Sequence, residues 1–569
     1  MTTNITARAY PTEIATTLHE QGLHPVLARI YAARGVLSAV QLATNLSALI
    51  SPDQLSNASH MANILADAIT QQKRLLIVAD YDADGATACA VGMRGLRSFG
   101  AVVDYLVPNR FDHGYGLTPE IVRLAAEKRP DFIITVDNGI ASIDGIDEAN
   151  RLGISVLVTD HHLAGDQLPA AACIVNPNAP NCNFPSKNLA GVGVIFYVLL
   201  ALRTELRQRG LFDANPEPKL TDLLDIVALG TVADLVKLDD NNRILVDQGL
   251  KRIRAGLACP GIQALLRIAG RDPKRASTYD LGFALGPRLN AAGRLEDMAL
   301  GIECLLATDS KIAHDIALKL DQMNRSRREI EADMQDSALA SLESINVTDG
   351  YSLCLLDPSW HQGVIGILAS RLKEKYHRPT IIFASANDGK LKGSGRSIHG
   401  LHLRDALDIV AKRHPDMLLS FGGHAMAAGL TIHHTNLERF TQTFEQTVRQ
   451  LLTPADLERL IETDGNLNAA DTDLALAQLL EDGVWGQGFA TPSFEGMFKV
   501  ASQRVVGEKH LKLKLDQDGK PLEAMLFFHA ENLPEQIKAV YQLGVNEYNG
   551  QKTTQLILKH WQHSTEPRP

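Results

Sequence analysis

Short apolar runs typical of buried strands recur through the first half of the chain, with helical spacings of apolar residues between them. Three of these runs lie at residues 75–78, 132–135 and 154–158. Strand-like runs that alternate with amphipathic helices predict a parallel sheet covered by helices. We therefore predict an α/β domain over residues 71–308, preceded by an N-terminal segment of short helices over residues 1–70.

The second half of the chain shows three further patterns. Residues 309–342 contain no Gly or Pro and space their apolar positions as a helix does, which predicts a long connecting helix over residues 309–345. A second α/β pattern follows, and we assign it to residues 346–455. From about residue 491 apolar and polar positions alternate with a period of two, which predicts an antiparallel barrel within a final segment, residues 456–569.

Composition places few limits on function. The 569 residues are 45% hydrophobic and 21% charged, as in an ordinary globular protein of several domains. The formal net charge of −10 argues against binding nucleic acid by bulk charge alone. Residues 371–413 nevertheless carry ten Lys or Arg against four Asp or Glu, a local net charge of +6.

Two features bear on location. The six cysteines are far apart and form no Cys-x-x-Cys pair, which disfavours a disulfide framework or a zinc ribbon and fits a reducing compartment. The first residues lack the basic and apolar regions of a signal peptide, and the longest apolar stretch, about residues 192–202, is too short to span a bilayer. We expect a cytoplasmic protein with no membrane contact.

The candidate chemistry lies where predicted strands end. Parallel strands bring their carboxyl ends to one crevice, so polar residues that follow several strands are expected to meet there. Many carboxylates at close range are unfavourable unless divalent cations neutralise them. Oxygen ligands with few imidazoles suit Mg²⁺ or Mn²⁺, two of which can promote hydrolysis of a phosphodiester. The acidic and imidazole residues concerned lie in four segments, called motifs one to four below: residues 80–85 with Asp80, Asp82 and Asp84, residues 136–139 with Asp137, residues 160–162 with Asp160, His161 and His162, and residues 231–234 with Asp234.

Each segment also has an ordinary structural interpretation. The first resembles the opening of an EF-hand loop, but position 12 would be Val91 and a strand precedes it. Asp84 could instead cap the following helix, Asp137 could belong to an Asp-Asn-Gly turn, and Asp234 could be the polar end of a helix. Four such coincidences in this order are less plausible than one binuclear metal centre. The chain contains no Walker loop, which disfavours nucleotide-dependent chemistry.

These segments resemble the four motifs of the DHH phosphoesterase superfamily, named for the triplet at residues 160–162. Further segments resemble the bacterial members that degrade single-stranded DNA from its 5′ end. The resemblance extends from about residue 20 to residue 562. It implies two α/β lobes, of DHH and DHHA1 type, joined by the long helix and followed by an OB-like barrel. The further segments lie at residues 108–116, 286–294, 393–397, 422–424 and 485–489.

The resemblance implies a role for each matching residue. The ligands of two Mn²⁺ or Mg²⁺ ions would be Asp82, Asp84, Asp137, His161 and Asp234, with Asp137 as the bridge. The catalytic residues would be His162, which would face the scissile phosphate, and Asp80 and Asp160, which would lie in or beside the ligand set. Candidates for binding the 5′ phosphate and the DNA are Arg110, Arg288, Asn290, Arg294, Ser394, Arg396, His424, Lys512 and Lys514. In the barrel, Lys509, Phe527 and Tyr548 are further candidates for contacting a single strand.

We therefore expect a monomeric exonuclease that threads a single strand between its two lobes and releases 5′ mononucleotides. The resemblance also implies a role in recombination and repair, beside a helicase and a single-stranded-DNA-binding protein. One alternative is a member of the same superfamily that hydrolyses short oligonucleotides, cyclic dinucleotides or pyrophosphate, although such substrates need no barrel. A nucleic-acid-binding factor with a degenerate site is the other, although all the expected ligands are present.

Overall fold

A computed structural model describes residues 3–108, 116–214, 216–295, 297–343, 349–548 and 550–563. Its contacts divide the chain into two compact units. The large unit comprises Ala7–Asp321 and Glu462–Pro569, and the small unit comprises Met1–Thr6 and Gln322–Ile461. The predicted domain boundaries remain predictions, since this division follows contacts alone.

Both units mix strands and helices. Within the described residues the strands are β1 (Thr3–Ala7), β2 (Arg74–Ala79), β3 (Val102–Leu106), β4 (Phe132–Val136), β5 (Ser155–Thr159), β6 (Cys173–Val175), β7 (Leu353–Leu356), β8 (Thr380–Ser385), β9 (Lys390–Arg396), β10 (Ser420–Gly423), β11 (Ala427–His433), β12 (Arg459–Thr463), β13 (Phe494–Val506), β14 (His510–Gln517), β15 (Lys520–Phe527), β16 (Gln536–Tyr548) and β17 (Gln551–His563). The helices are α1 (Thr12–Glu20), α2 (Pro25–Ala33), α3 (Ala58–Thr70), α4 (Ala83–Ser98), α5 (Pro119–Glu127), α6 (Ile143–Arg151), α7 (Gly191–Gln208), α8 (Leu224–Ala233), α9 (Asp240–Arg254), α10 (Pro260–Ile268), α11 (Gly286–Leu295), α12 (Ala299–Leu306), α13 (Ser310–Glu343), α14 (Ile365–Tyr376), α15 (Leu403–Arg413), α16 (Leu437–Leu451) and α17 (Leu474–Asp482).

The first sheet of the large unit is parallel, as the alternating pattern predicts. Its strand order is β3-β2-β4-β5-β6, and β2, β4 and β5 are almost entirely buried because helices cover both faces. The chain adds β3 on one side of β2 and then returns to add β4 on the other. This reversal of direction leaves a crevice at the carboxyl ends of β2 and β4, the place where α/β sheets bind ligands.

The sheet of the small unit has the order β10-β11-β9-β8-β7, in which only the β7–β8 pair is parallel. The period-two pattern of β8 explains its two cores. Ile381 and Phe383 pack with α15 and α16 on one face, whereas Ile382 and Ala384 pack with α14 and the last turns of α13 on the other. Helix α13 forms as the sequence predicts, and the contact division falls within it, after Asp321.

The C-terminal strands close into a barrel of order β13-β14-β15-β17-β16. The sequence predicts an antiparallel barrel, and four of the five pairs are antiparallel, but β15 and β17 are parallel. A closed barrel of five strands cannot have every neighbouring pair antiparallel. If strand direction alternates around an odd number of strands, at least two neighbours must run in the same direction. The predicted fold class of two α/β regions and an OB-like barrel is confirmed.

Two observations complete the fold. The N-terminal segment holds the predicted short helices, but it also contributes β1, which pairs with β12. The sequence did not predict this strand, since Thr3–Ala7 is short and largely polar. Within the part of the chain that the structure describes, none of the helices combines the length and apolar character that a bilayer crossing requires.

A buried ion pair fastens the N-terminal helices of the large unit to the segment that leads into the barrel. Arg34, just after α2, donates to both carboxylate oxygens of Asp464 at 2.7 and 3.1 Å, and both side chains are 3% exposed. Arg34 also donates to the Ala490 carbonyl oxygen at 2.7 Å. Such a pair stabilises the fold only while both charges are present.

We therefore predict that Arg34→Ala lowers the free energy of unfolding by about 3 kcal/mol, because it leaves a buried carboxylate without its main partner. This loss is at the lower end of the range for breaking a buried ion pair, because Arg8 lies 3.6 Å from Asp464 and remains as a second partner of the carboxylate. The matched control is Arg123→Ala, since Arg123 is 58% exposed and binds Glu148 at the surface, and its loss should cost less than about 1 kcal/mol. Urea unfolding measures both, and equal losses would contradict the prediction.

Candidate metal centre

The first motif forms a tight turn between β2 and α4. Asp82 is the N-cap of α4, and its Oδ1 accepts hydrogen bonds from the backbone nitrogens of Asp84 and Gly85 at 2.9 and 3.0 Å. The capping role considered for Asp84 therefore belongs to Asp82. Asp84 instead lies in the first turn of α4 with its side chain completely buried.

The carboxylate of Asp84 is held by the start of another helix. Its two oxygens accept hydrogen bonds from the backbone nitrogens of Gly191 and Val192 at 2.6 and 2.9 Å, at the N-terminus of α7. The positive end of the helix dipole stabilises the negative charge there. Gly191 is required at this point, because a Cβ would lie 2.6 Å from the Cβ of Asp137. Sequence reasoning missed Gly191, which is distant from every motif along the chain.

The second motif follows β4 with a left-handed residue. Asp137 has a φ of 63°, and its backbone nitrogen donates to the Thr159 carbonyl oxygen at 3.0 Å. The neighbouring Asn138 donates from Nδ2 to the carbonyl oxygens of Val78 and Val136 at 3.2 and 2.9 Å. These bonds tie the ends of β2, β4 and β5 together and hold Asp137 in a strained conformation that few non-glycine residues adopt.

The third motif is organised by its own aspartate. Asp160 Oδ1 accepts from the backbone nitrogens of His161 and His162 at 2.7 and 3.1 Å, and lies 2.7 Å from His162 Nδ1. Asp160 Oδ2 accepts from the Ile140 backbone nitrogen at 2.9 Å. Burial acts to raise the pKa of Asp160, but the bonds from His162 and these amides outweigh it and lower the pKa. An ionised Asp160 can only accept, so Nδ1 of His162 carries the proton.

Two asparagines that sequence reasoning missed hold the other side of this loop. Asn176 donates from Nδ2 to the His162 carbonyl oxygen at 2.9 Å, and Asn178 donates to the His161 carbonyl oxygen at 2.6 Å. They belong to an Asn-Pro-Asn segment just after β6. Their position at a strand end, like that of the acidic motifs, is the signal that could have identified them.

His161, in the third motif, brings all four motifs together. Its Nε2 lies 3.1 Å from an oxygen of Asp137, 3.5 Å from one of Asp234 and 3.9 Å from one of Asp84. Asp234 is the C-cap of α8, where the predicted helix ends. Three overlapping groups each keep their ligand atoms within 4.8 Å of one another: Asp84, His161 and Asp234; Asp137, His161 and His162; and Asp80, Asp82 and Asp137.

The electrostatics of this cluster favour bound cations. Burial, followed by the charge of Asp82, raises the pKa of Asp84 to about 7. Burial and the neighbouring aspartates, with Asp84 first among them, raise the pKa of Asp137 and of Asp234 well above the usual range. The carboxylates can therefore ionise together at neutral pH only if positive charge lies among them. Several carboxylate oxygens and an imidazole within a few ångström fit Mn²⁺ or Mg²⁺.

The phosphate-binding candidates of the large unit are partly engaged with the protein itself. Arg288 binds Asp321 through Nε at 3.0 Å and Nη2 at 2.7 Å, and donates to the Ala284 carbonyl oxygen. Asn290 Oδ1 accepts from the Ala83 backbone nitrogen at 2.8 Å, so a DNA contact would use its amide nitrogen. Arg294 lies on the same helix, α11, and is partly exposed. Arg110 lies outside the described residues.

The candidates of the small unit form a compact corner. Arg396 Nη1 donates to the Ser394 hydroxyl at 3.2 Å and to the Gly395 carbonyl oxygen at 2.7 Å. A Cβ on Gly366, in the first turn of α14, would lie 2.9 Å from Ser394 Oγ and 3.0 Å from Arg396 Nη2. Sequence reasoning missed Gly366, which lets the helix start close to both donors. His424 is exposed after β10, and its backbone nitrogen donates to the Ala427 carbonyl oxygen.

The barrel candidates lie on one face of β14 and β15. Lys512 and Lys514 alternate with buried leucines and so point outward, and Lys512 binds Glu523 at 2.6 Å. Lys509 is exposed in the turn before β14, and Phe527 is 45% exposed at the end of β15. The side chain of Tyr548 lies outside the described part of the chain.

Three family models match successive parts of the chain. The DHH family N-terminal domain matches residues 74–231, the DHHA1 domain residues 349–450 and the RecJ OB domain residues 463–560. The single-stranded-DNA-specific exonuclease RecJ of Salmonella typhimurium is 50% identical over 550 residues, which cover 94% of this chain and 95% of the relative. The chain belongs to the RecJ family. The resemblance to the DHH superfamily is thereby confirmed.

Two further members of the RecJ family illustrate the likeness. The single-stranded-DNA-specific exonuclease RecJ of Escherichia coli is also 50% identical, over 94% of this chain and 95% of its own length. The crystal structure of RecJ from Thermus thermophilus in complex with Mn²⁺ matches with a TM-score of 0.83 and 27% identity. That match covers 99% of this chain and 80% of the Thermus thermophilus chain.

We predict that Asp137→Asn stabilises the metal-free protein by about 1–2 kcal/mol, because a neutral amide avoids both the cost of a buried charge and the cost of protonating Asp137 at neutral pH. The same change should abolish the stabilisation by Mn²⁺, which for a single site at 100 times its Kd is about 2.7 kcal/mol. Thermal melting with chelator and with Mn²⁺ measures both effects. The control is Asp166→Asn, at an exposed position outside the cluster, which should respond to Mn²⁺ as the wild type does. If Asp137→Asn also kept its response to Mn²⁺, the prediction would be wrong.

The raised carboxyl pKa values also fix the sign of a pH effect. Asp84 keeps its proton to about pH 7 in the metal-free folded state, whereas an unfolded aspartate loses it near pH 4. The folded state therefore binds more protons between these values, and its stability should fall as pH rises from about 4 to 7. The decrease in stability with pH should be less steep in Asp137→Asn, because the variant lacks one of the carboxyl groups whose pKa is raised.

Proposed function

We propose that this protein is a divalent-metal-dependent exonuclease that degrades single-stranded DNA from the 5′ end and releases 5′ mononucleotides. The observation that carries the proposal is the group formed by the buried Asp84 and Asp137 and the half-buried His161 and Asp234 at the carboxyl edge of the sheet. It occurs in a chain that matches single-stranded-DNA-specific exonucleases over nearly its whole length. The C-terminal barrel supports a long single strand over a small substrate, because dinucleotides and pyrophosphate need no such domain.

The proposed ligands of two ions are Asp82, Asp84, Asp137, His161 and Asp234. Asp137 belongs to two of the three ligand groups, which supports its role as the bridge. Related RecJ crystal structures contain Mn²⁺ or Mg²⁺, and we propose the same metals here. When bound, such ions neutralise charge on the phosphate and lower the pKa of an attacking water.

His162 is proposed to act on the phosphate, and Asp160 is proposed to orient the imidazole of His162. With Nδ1 bound to Asp160, we propose that Nε2 is the ring nitrogen that acts on the substrate. Burial acts to lower the pKa of His162, but the bond and charge of Asp160, followed by Asp80 and Asp82, raise it. A protonated imidazole can donate a hydrogen bond to a phosphate oxygen as negative charge develops there.

Binding is proposed to rest on phosphate contacts. In the small unit, Ser394 and Arg396 present a hydroxyl and a guanidinium beside the start of α14, an arrangement that suits a terminal phosphate. Arg110, Arg288, Asn290, Arg294 and His424 remain proposed contacts to the phosphate or the strand. Lys512 and Lys514 occupy the β14–β15 face, which corresponds to the oligonucleotide-binding face of OB folds. Such contacts imply weak sequence preference and strong dependence on salt.

The cellular setting is also a proposal. A single-strand exonuclease requires unwound DNA, which a helicase supplies and a single-stranded-DNA-binding protein covers. We therefore propose a monomeric cytoplasmic enzyme that acts beside such proteins in recombination and repair.

The decisive test is the digestion of a single strand labelled separately at each end. We expect immediate release of mononucleotides from the 5′ label with Mn²⁺ or Mg²⁺, and no release with chelator, because the carboxylates need the cations. A blunt duplex and a dinucleotide serve as comparison substrates. Cleavage of the dinucleotide alone would favour a small-substrate hydrolase, and metal-independent binding without cleavage would favour a binding factor.

We predict that His162→Ala lowers kcat on single-stranded DNA by about 10²- to 10⁴-fold, the usual contribution of a positioned acid–base group. The melting temperature with chelator should stay near that of the wild type, because the side chain of His162 lies at the end of its loop and is partly exposed. Single-turnover kinetics at saturating DNA measure the effect. Asp160→Asn should give a smaller loss, since it leaves the imidazole in place but misoriented. Unchanged turnover in His162→Ala would remove this residue from the mechanism.

A further inference from the structure

Two aromatic rings stand in solvent on the large unit and pack against each other. Tyr279 is 57% exposed and Phe283 is 67% exposed. Their ring centroids lie 4.8 Å apart, and their planes differ by 26°. Neither ring belongs to a core of the protein, and none of the motifs in the sequence includes them. Contiguous apolar surface that stays exposed can mark a binding site.

A π-helical turn and a buried aspartate hold the backbone that carries the aromatic pair. Tyr279 directly precedes a π-helical turn, Asp280–Leu285, which contains Phe283. Asp280 is buried and accepts from the backbone nitrogen and hydroxyl of Ser277 at 3.0 and 2.8 Å. Arg271 binds Asp280 at 3.3 Å and places its guanidinium 5.8 Å from the centre of the Tyr279 ring. π-Helical turns occur frequently at functional sites.

These contacts build a stack with one open end. Arg271 lies against Tyr279, and Tyr279 lies against Phe283. Within the described residues, Tyr279 is the only aromatic residue whose ring packs against the ring of Phe283. The outer face of Phe283 can therefore extend the stack by one more flat group.

The turn that carries the stack packs against the helix that ends at the metal centre. Gly282, next to Phe283, approaches α8 so closely that a Cβ there would lie 3.2 Å from Cγ1 of Val232. Val232 lies two residues before Asp234, a proposed metal ligand. The π-helical turn then continues directly into α11, which carries Arg288 and Arg294. Phe283 is therefore one residue from a close contact with α8, the helix that ends at Asp234.

The chain segment that carries the aromatic pair is basic, although Arg275 and Arg288 each bind a carboxylate from outside it, those of Glu547 and Asp321. Residues 267–294 contain six Lys or Arg and two Asp or Glu, and one of those two, Asp280, is buried. This basic segment contrasts with the formal charge of −10 of the whole chain. Flat rings among cations are the usual arrangement for single-stranded nucleic acid, in which bases stack and phosphates pair with cations.

We infer that Phe283, backed by Tyr279, stacks against a nucleobase of the single strand beside the metal centre. The inference rests on the proposed function and adds a contact to the bases, whereas the contacts proposed above are to phosphates. A ring face accepts every base, so the contact adds affinity without sequence preference. It also favours single strands, because bases inside a duplex are already stacked on their neighbours.

The test compares variants of the full-length protein. Affinity for a 5′-phosphorylated, fluorescently labelled single strand is measured by anisotropy in chelator, and kcat/KM is measured with Mn²⁺. Phe283→Ala should weaken binding by about 5- to 150-fold, the range for loss of one stacked base. Phe283→Trp should restore binding, Phe283→Leu should not, and Tyr279→Ala should give a smaller loss. The control is Tyr10→Ala, an aromatic residue 42% exposed elsewhere in the large unit.

A second measurement separates stacking from a structural role. A single abasic residue is moved along the strand, which removes a base while keeping every phosphate. In the wild type one position should weaken binding, and in Phe283→Ala the abasic residue at that position should have no further effect. Equal abasic penalties in both proteins, or unchanged affinity in Phe283→Ala, would overturn the inference. If the wild type neither binds nor cuts single-stranded DNA, the proposed function fails as well, so the two failures can be distinguished.

Discussion

The repulsion between carboxylates that are buried together is the constraint on which the rest of the large unit depends. Asp84, Asp137 and Asp234 lie around one imidazole, and burial and their mutual charge raise their pKa values. The fold counters this repulsion with backbone amides, most clearly at the start of α7, where two nitrogens bind Asp84. The remaining excess of negative charge is what divalent cations neutralise. The cluster therefore trades stability of the metal-free protein for affinity toward metal ions.

Rigid positioning is achieved through hydrogen bonds to the backbone rather than through side-chain pairs. Asp160 binds three backbone amides and one imidazole, and Asn176 and Asn178 hold the carbonyl oxygens of the same loop. Asn138 links the ends of neighbouring strands in the same way. Because these bonds fix the loops before any ligand arrives, little reorganisation is required when charge develops on a substrate.

An acidic protein can bind a polyanion when its positive charge is concentrated locally. The basic segments at residues 267–294 and 371–413 and the lysines of the β14–β15 face supply such charge in different parts of the chain. In each case neutral groups accompany the charge: an aromatic pair at Tyr279 and Phe283, a hydroxyl at Ser394, and Phe527 on the barrel. Contacts to phosphates and to base faces are independent of sequence, which suits an enzyme that must degrade any strand.

The sequence by itself determined that the acidic and imidazole residues following β2, β4 and β5 gather at one edge of the sheet, because the carboxyl ends of parallel strands meet there. Asp234 joins them from the end of α8. The sequence also determined the long helix, the two α/β regions and the barrel, since each has its own hydrophobic period. Only the tertiary structure decided that Asp82 rather than Asp84 caps α4, that Gly191 and Gly366 must lack side chains, and that Phe283 stays exposed. The need for the two glycines and the exposure of Phe283 depend on contacts between residues far apart in the chain, whereas the cap is a local choice between two neighbouring aspartates. Local patterns carry no information about such contacts, because the distances involved are set by packing.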